Sequence, residues 1–475
     1  MQKFRLQPAA AVLAAFALTA CTLAPDYRQP EVNIPEQFRY DTAERGIQAA
    51  AMGWEDYFAD PRLHRLIALA LENNPDLRMA ALNAESVRAQ YAITRAASLP
   101  GINASASGNR ARVAQDLSPT GQSYVASSYS VGLGVAAYEL DLFGKARSNN
   151  QAALQAYFSS AAARDSAHLS LVAGVAKAYF NKRYAEESMQ LTERVLQSRQ
   201  ESYRLYQLQH RAGVISAVNL REMEALIESA KADHAAALRA REQARNALAM
   251  LINRQLPDDL PAAQPLNRQF RIERLPAGLV SDVMNNRPDI RAAEHDLRQA
   301  NANIGAARAA FFPSISLTGT IGTGSTELSG LFAGGNGTWA FAPTINLPIF
   351  NWGRLSASLD VAELRQHSAV AAYEQAVQSA FRDVADALVA RETLQTQYEA
   401  NLQTQKAYND RLRLINLRYR HGVSSSLDVL DAERSSYSAD ATVLANQLRM
   451  LENLADLYKA LGGGLKRYSD ESADQ

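Results

Sequence analysis

Apolar residues along this chain change their period several times, and each change marks an element. Between Gly144 and Gly213 the only glycine is Gly174 and there is no proline; within that stretch Leu169, Val172, Ala176 and Tyr179 step by three or four residues. That is the spacing of one helical face. Val377, Phe381, Val384 and Leu388 repeat it. Helices of roughly 65 residues rising ~1.5 Å each would be on the order of 100 Å long. Helices of that length cannot be buried in a globule, so they are expected to pack side by side as coiled coils. Elsewhere the period is two. Ile315, Leu317 and Ile321 alternate with Ser314, Ser316, Thr318 and Thr320, while Trp339, Phe341, Pro343, Ile345, Leu347 and Ile349 occupy every second position. Both runs read as strands, and the Gly-rich stretch 322–337 between them reads as an exposed loop. Tyr129, Val131, Leu133 and Val135 alternate with Ser128, Ser130, Gly132 and Gly134. A fourth, weaker strand lies near residues 102–113.

The pattern occurs twice. Asn74-Pro75-Asp76-Leu77-Arg78 recurs as Arg287-Pro288-Asp289-Ile290-Arg291, and Arg95-Ala96-Ala97-Ser98-Leu99-Pro100 as Arg308-Ala309-Ala310-Phe311-Phe312-Pro313. Leu140-Asp141-Leu142-Phe143 matches Leu347-Pro348-Ile349-Phe350, and Arg211-Ala212-Gly213-Val214-Ile215 matches Arg420-His421-Gly422-Val423-Ser424. Four landmarks in one order, at offsets of 207 to 213, indicate a tandem duplication of roughly 210 residues. That period is too long for a solenoid repeat. Each copy reads as helix, strand pair, long helix, Gly turn, helix. The expected division is a signal peptide (1–20), an N-terminal extended segment (21–60), a first repeat (61–255) and a Pro-rich link (256–278). A second repeat (279–462) and a C-terminal tail (463–475) follow. The part of the link from Pro257 to Pro276 is expected to be irregular surface structure. Gly462-Gly463-Gly464, after Leu444, Leu448, Leu451, Ala455 and Tyr458, reads as a helix stop.

Composition narrows the class. Lys3 and Arg5, the apolar stretch 9–17 and then Leu18-Thr19-Ala20-Cys21 form a secretory signal whose ending resembles a bacterial lipobox. Cys21, the only cysteine in the chain, is expected to carry covalent diacylglycerol and an N-acyl chain, which together anchor stably where one chain would not. Thr22 follows it, in place of an inner-membrane retention aspartate, so the outer membrane is expected. A single cysteine leaves no disulfide and no thiol chemistry. Without Lys3 and Arg5 the mature chain keeps 47 basic against 49 acidic residues, which leaves no field to attract nucleic acid. No apolar run of 18 residues follows the signal, so any crossing of a bilayer is by β-strands in a closed barrel. Four strands per chain are too few to close one, and known barrels start at about eight. Three chains would pool twelve strands and two would pool eight; a soluble β-meander capping a helical bundle is the further alternative. Seven histidines are scattered singly, with no His-Glu-x-x-His, Gly-x-Ser-x-Gly or Walker loop, so no enzyme is expected. A lipid-anchored coiled-coil scaffold would account for the helices but not for duplicated strand pairs.

The lipobox, the run Arg287-Pro288-Asp289-Ile290-Arg291-Ala292-Ala293-Glu294, residues 306–316, Leu347-Pro348-Ile349-Phe350 and Leu427-Asp428-Val429-Leu430-Asp431-Ala432 together resemble the outer-membrane efflux protein family of TolC/OprM type. Within it the likeness is to the MtrE/OprM lipoprotein branch that serves RND multidrug pumps, and it covers essentially the whole mature chain. The resemblance implies an all-α fold with a membrane β-barrel (α+β). It implies a homotrimer with a twelve-stranded barrel in the outer membrane, continued into the periplasm by a twelve-helix α-barrel. It also implies a periplasmic adaptor and an inner-membrane RND transporter as partners, and no cofactor. Cargo would be drugs and other toxic amphiphiles.

Gly213 with Val214 and Gly422 with Val423 are then the tip turns that the adaptor contacts. Asp428 and Asp431, three apart and hence on one helix face, match the family's gate carboxylates. A three-fold assembly would make each a ring, which raises pKa values or attracts cations. The competing reading is a capped, solvated helix start favoured by the macrodipole. Asn219 and Glu222 are the duplicated counterparts. Tyr419 matches a gate tyrosine, while Ser424 stands where the TolC-type pattern has an arginine. Tyr138 and Phe350 are expected at the barrel's lower rim. Trp339 is expected in an aromatic girdle or, equally, in a packed core.

Overall fold

A computed structural model describes residues 22–35, 37–40, 49–271 and 280–465. Cys21 and the signal peptide lie outside the described residues. In chain order the elements are α1 (Trp54–Tyr57), α2 (Pro61–Asn73), α3 (Pro75–Ala96), β1 (Ile102–Val113), β2 (Tyr124–Leu140), α4 (Lys145–Arg211) and α5 (Ala217–Leu251). After the link come α6 (Val280–Asn286), α7 (Pro288–Ala309), β3 (Ser314–Ser325), β4 (Gly337–Asn346), α8 (Arg354–Arg420) and α9 (Ser426–Ala460). α4 and α8 have 67 residues each, α5 and α9 have 35 each, and α3 and α7 have 22 each. No helix among the described residues is long and apolar enough to cross a membrane.

The chain divides into two compact units, and α4 and α8 each contribute residues to both. The first unit (1–31, 83–160 and 292–374) contains the strands. They form one antiparallel sheet in the order β1-β2-β3-β4. Among the described residues β1 and β4 are therefore edges with unpaired backbone, and every residue of β4 is exposed. At the β2–β3 seam Gly132 pairs with Gly322, and a Cβ on Gly322 would stand 2.2 Å from the Val131 carbonyl oxygen. This corrects the loop expected at 322–337. Gly322 and Gly324 lie in β3, where glycine admits the neighbouring backbone, and only 326–336 connects the strands. β4 also stops at Asn346, short of Leu347 and Ile349. Pro348 follows, and a proline cannot donate to a ladder. β2 breaks register between Val135 and Tyr138, with Ala137 at φ 51, the signature of an irregularity that bends a strand. Residues 22–31 of this unit have no regular secondary structure, and some of them bind α7. Asn301 donates to the Pro25 carbonyl and the Tyr27 hydroxyl to Glu294, while Arg298 lies over the Tyr27 ring. Burial, and then Glu294, pushes the Tyr27 phenol up to about 12.

The second unit (32–82, 161–291 and 375–475) holds the main apolar core. The helical stripes predicted from periodicity lie in it: Leu169, Val172, Ala176 and Tyr179 are buried, as are Val377, Val384 and Leu388. Tyr458 stacks on Tyr57 with ring centroids 4.3 Å apart and donates to the Met52 carbonyl. Asp60 is wholly buried, caps α2 through Arg62 N, and accepts from Tyr179 Oη at 2.6 Å and Gln264 N at 3.0 Å. The part of the Pro-rich link that is described, up to Arg271, has no regular element beyond the short 3-10 turn Leu266–Arg268, and it is not only surface; the rest of the link lies outside the described residues. Leu266, Gln269 and Phe270 are buried, and Phe270 packs on Tyr57, Phe58 and Phe180. A stretch without helical or strand period can still supply aromatic anchors to a core.

Candidate functional site

The turns between the long helices lie wholly in the second unit. α4 ends at Arg211 and Gly213 takes φ +69; α8 ends at Arg420 and Gly422 takes φ +73. Val214 N donates to the Gln209 carbonyl at 2.9 Å and Val423 N to the Arg418 carbonyl at 2.9 Å. Each bond spans five residues and closes its helix over a left-handed residue two positions past the helix end, a position glycine fills without penalty. Nothing lies within 4 Å of where a Cβ would stand on either glycine. Val214, Val218, Val423 and Leu427 expose most of their apolar surface around these turns.

The next helix of each hairpin starts on a serine. Ser216 caps α5, accepting from Asn219 N at 3.4 Å and donating to Asn219 Oδ1 at 2.9 Å. Ser425 caps α9 more completely. It accepts from Asp428 N at 3.2 Å, while Asp428 Oδ2 accepts from the Ser425 backbone N–H and hydroxyl, both at 2.8 Å. This reciprocal box satisfies two otherwise orphaned donors. The Ser425 backbone hydrogen bond, then its hydroxyl, holds the Asp428 carboxyl below the usual carboxylate range. Within one chain Asp428 is thus a helix cap.

Asp431, one turn further, is engaged differently. Arg411 on α8 donates to its Oδ2 at 2.7 Å and Arg434 on α9 to its Oδ1 at 2.9 Å. Arg411 is the largest cause of its lowered pKa. Neither carboxyl is raised within the single chain. The sequence reading missed Arg411, though a signal existed: residues at similar distances either side of Gly422 must meet in a hairpin.

A cavity of about 670 Å³ opens between the helices above the turns. Glu222 of α5 and Asp431 of α9 both line it, so the fold gathers these two predicted positions, whereas Asp428 and Asn219 are absent from its lining. Its wall also includes Arg199 of α4 and Glu433 of α9, 3.1 Å apart. Tyr206, buried on α4, has Ser426, Tyr419 and Glu222 among its electrostatic neighbours. Burial is the main cause of its raised pKa. No sequence pattern distinguished Arg199, Tyr206 or Glu433, because each meets its partner across two hairpins.

The other singled-out positions lie in the first unit. The Tyr138 hydroxyl donates to the Ser98 carbonyl at 3.3 Å, and Phe350 is exposed against Trp352. Trp339 is 79% exposed, so in the single chain it is not a packed core position. Among the described residues no group of three His, Cys, Asp or Glu could hold a metal ion.

Residues 66–254 and 279–463 both match the family described as outer membrane efflux protein. The chain is 44% identical over 467 residues to the toluene efflux pump outer membrane protein TtgC of Pseudomonas putida, covering 97% of this chain and 96% of that protein. It is 44% identical to outer membrane protein OprJ of Pseudomonas aeruginosa, covering 96% and 95%. It is similar to the open-state MtrE outer membrane channel of Neisseria gonorrhoeae, with TM-score 0.88 and 60% identity over 94% of this chain and 100% of that one.

Proposed function

The chain belongs to the outer membrane efflux protein family, and from that premise we propose that it is the outer-membrane channel of a tripartite RND-type multidrug efflux pump. It is a passive duct and has no bond to break. The observation that carries this reading is a four-stranded sheet whose two edges are unpaired among the described residues, in a chain with two helices of 67 residues each. Open edges cannot face lipid, so strands must be pooled between copies. Three copies would give twelve strands and a helical duct below them, with the exposed Trp339 facing the membrane interface. The equal helix lengths and the two family-matching segments support the tandem repeat and the division into 61–255 and 279–462.

In this reading Cys21 is lipidated, and the turns at Gly213-Val214 and Gly422-Val423 meet a periplasmic adaptor coupled to an inner-membrane RND transporter. The exposed valines support such contact, since apolar groups displayed together mark interaction sites. The gate is the constriction formed by Asp428, Asp431, Tyr419, Asn219 and Glu222 on three chains. Toluene, named for one relative, fits a permissive duct for amphiphiles. A test uses the full-length protein in outer-membrane fractions and planar bilayers. Unheated samples should migrate as an SDS-resistant trimer that heating converts to monomer. The trimer should give small, cation-preferring conductance that rises when Asp428 and Asp431 are both changed to Ala. Monomeric migration without heating, and no conductance, would sink the reading; unchanged conductance in the double variant would remove those carboxylates from the gate.

A further inference from the structure

Within one turn of its length α9 is held from two sides. Asp431 takes Arg411 of α8, its own hairpin partner, at 2.7 Å. Glu433, two residues on, points to the other hairpin and takes Arg199 of α4 at 3.1 Å. The two contacts differ physically. The first joins side chains about two-fifths exposed, whereas Arg199 shows 9% of its side chain and Glu433 19%. Exposed pairs hold little, because water and salt screen them. The buried pair is not well satisfied either: Arg199 Nη1 and Glu433 Oε2 are both buried, and although they approach closely, neither atom makes a hydrogen bond among the described residues. Charges taken out of water recover that cost only with good geometry and further hydrogen bonds. Here both are lacking, and burial outweighs Arg199 in raising the Glu433 carboxyl. The pair also lines the cavity of about 670 Å³ beside it, a space of mixed lining large enough to admit several waters. The contact is therefore easily surrendered when both charges rehydrate together, and unfavourable when only one charge remains.

We infer that Arg199 and Glu433 form a release point tying the two helical hairpins of one chain together, and that this contact sets how readily the tip opens. The inference rests on the reading of the tip as a gate. It assigns both residues a positioning role, since they act through the spacing of α4 and α9 and not on the cargo.

The experiment uses the full-length trimer, with SDS-resistant trimer content and planar-bilayer conductance read in parallel. Glu433→Gln leaves a buried, unpaired guanidinium; conductance should rise several-fold while trimer content stays at the parent level. Arg199→Glu with Glu433→Arg should return conductance to the parent value. Arg199→Met with Glu433→Leu replaces the charges by apolar packing and should lower conductance below the parent. Parent-like conductance in an intact Glu433→Gln trimer overturns the inference, as does a reversed pair that behaves like Glu433→Gln. If Glu433→Gln assembles poorly, the Met/Leu pair decides, and conductance at or above the parent value overturns the inference. The Asp428→Ala/Asp431→Ala variant separates the two readings. If it opens the channel and the Arg199–Glu433 variants do not, the release point alone fails; if it too is silent, the tip gate fails.

Discussion

Whether a carboxylate is engaged within its own chain decides what it can offer a three-fold ring. Asp428 and Asp431 share a helix face, which the spacing predicted, but the first is committed to a capping box and the second to Arg411 and Arg434. The capped helix start, weighed against the ring from sequence, describes Asp428 in the single chain. Its folded pKa is depressed, so the stability it lends the start of α9 is fully present above the unfolded value of about 4. That stability is lost as pH falls through the lower folded value. Protection of the Asp428 and Val429 amides against hydrogen exchange should hold at neutral pH and collapse only in acid below the ordinary carboxylate range; Asp428→Ala should abolish that acid step. A step above that range would count against the cap. At Gly422 the left-handed backbone admits other residues only at about 1–2 kcal/mol. Gly422→Val should therefore cut protection of the Val423 amide roughly tenfold, and equal protection would show the turn to be unstrained.

Among elements, the helices were the legible part. Stripes at three and four residues predicted α4 and α8, and those positions are buried except Phe381, which is partly buried against the core. Strand ends were less legible, because glycine carries two meanings in one letter. In 322–325 it belongs to β3, where the Gly322–Gly132 approach excludes any side chain, and only beyond Ser325 does the chain become a loop. Gly322→Val should break the β2–β3 seam, since a Cβ 2.2 Å from the Val131 carbonyl oxygen has backbone as its obstacle. The expected readout is loss of the heat-modifiable, SDS-resistant form, with Gly324→Ala, whose Cβ would meet its nearest neighbour at 3.7 Å, as the tolerated control. Retention of that form by Gly322→Val would mean that the seam can spread without cost.

At the scale of the whole molecule, segments far apart in sequence converge where no period announces them. In the second unit Asp60, Tyr179 and Gln264 meet around one buried carboxylate, and the link delivers Phe270 into an aromatic cluster. Tyr179→Phe removes the shortest of those hydrogen bonds and leaves a buried acceptor short, so urea unfolding followed by helical circular dichroism should show about 1–3 kcal/mol lost. No change would mean that Asp60 finds another donor. By itself the sequence determined the helical stripes, the strand pairs, the doubled order of elements and the family, because periodicity and repetition are properties of neighbouring residues. It also placed the Gly turns, since a left-handed residue is a local demand. Only the tertiary structure decided that Arg411 reaches Asp431 across its hairpin and that Arg199 reaches Glu433 across two. Those outcomes depend on how helices far apart in sequence stand beside one another, and on how much water is left between them, and neither is written in the spacing along one chain.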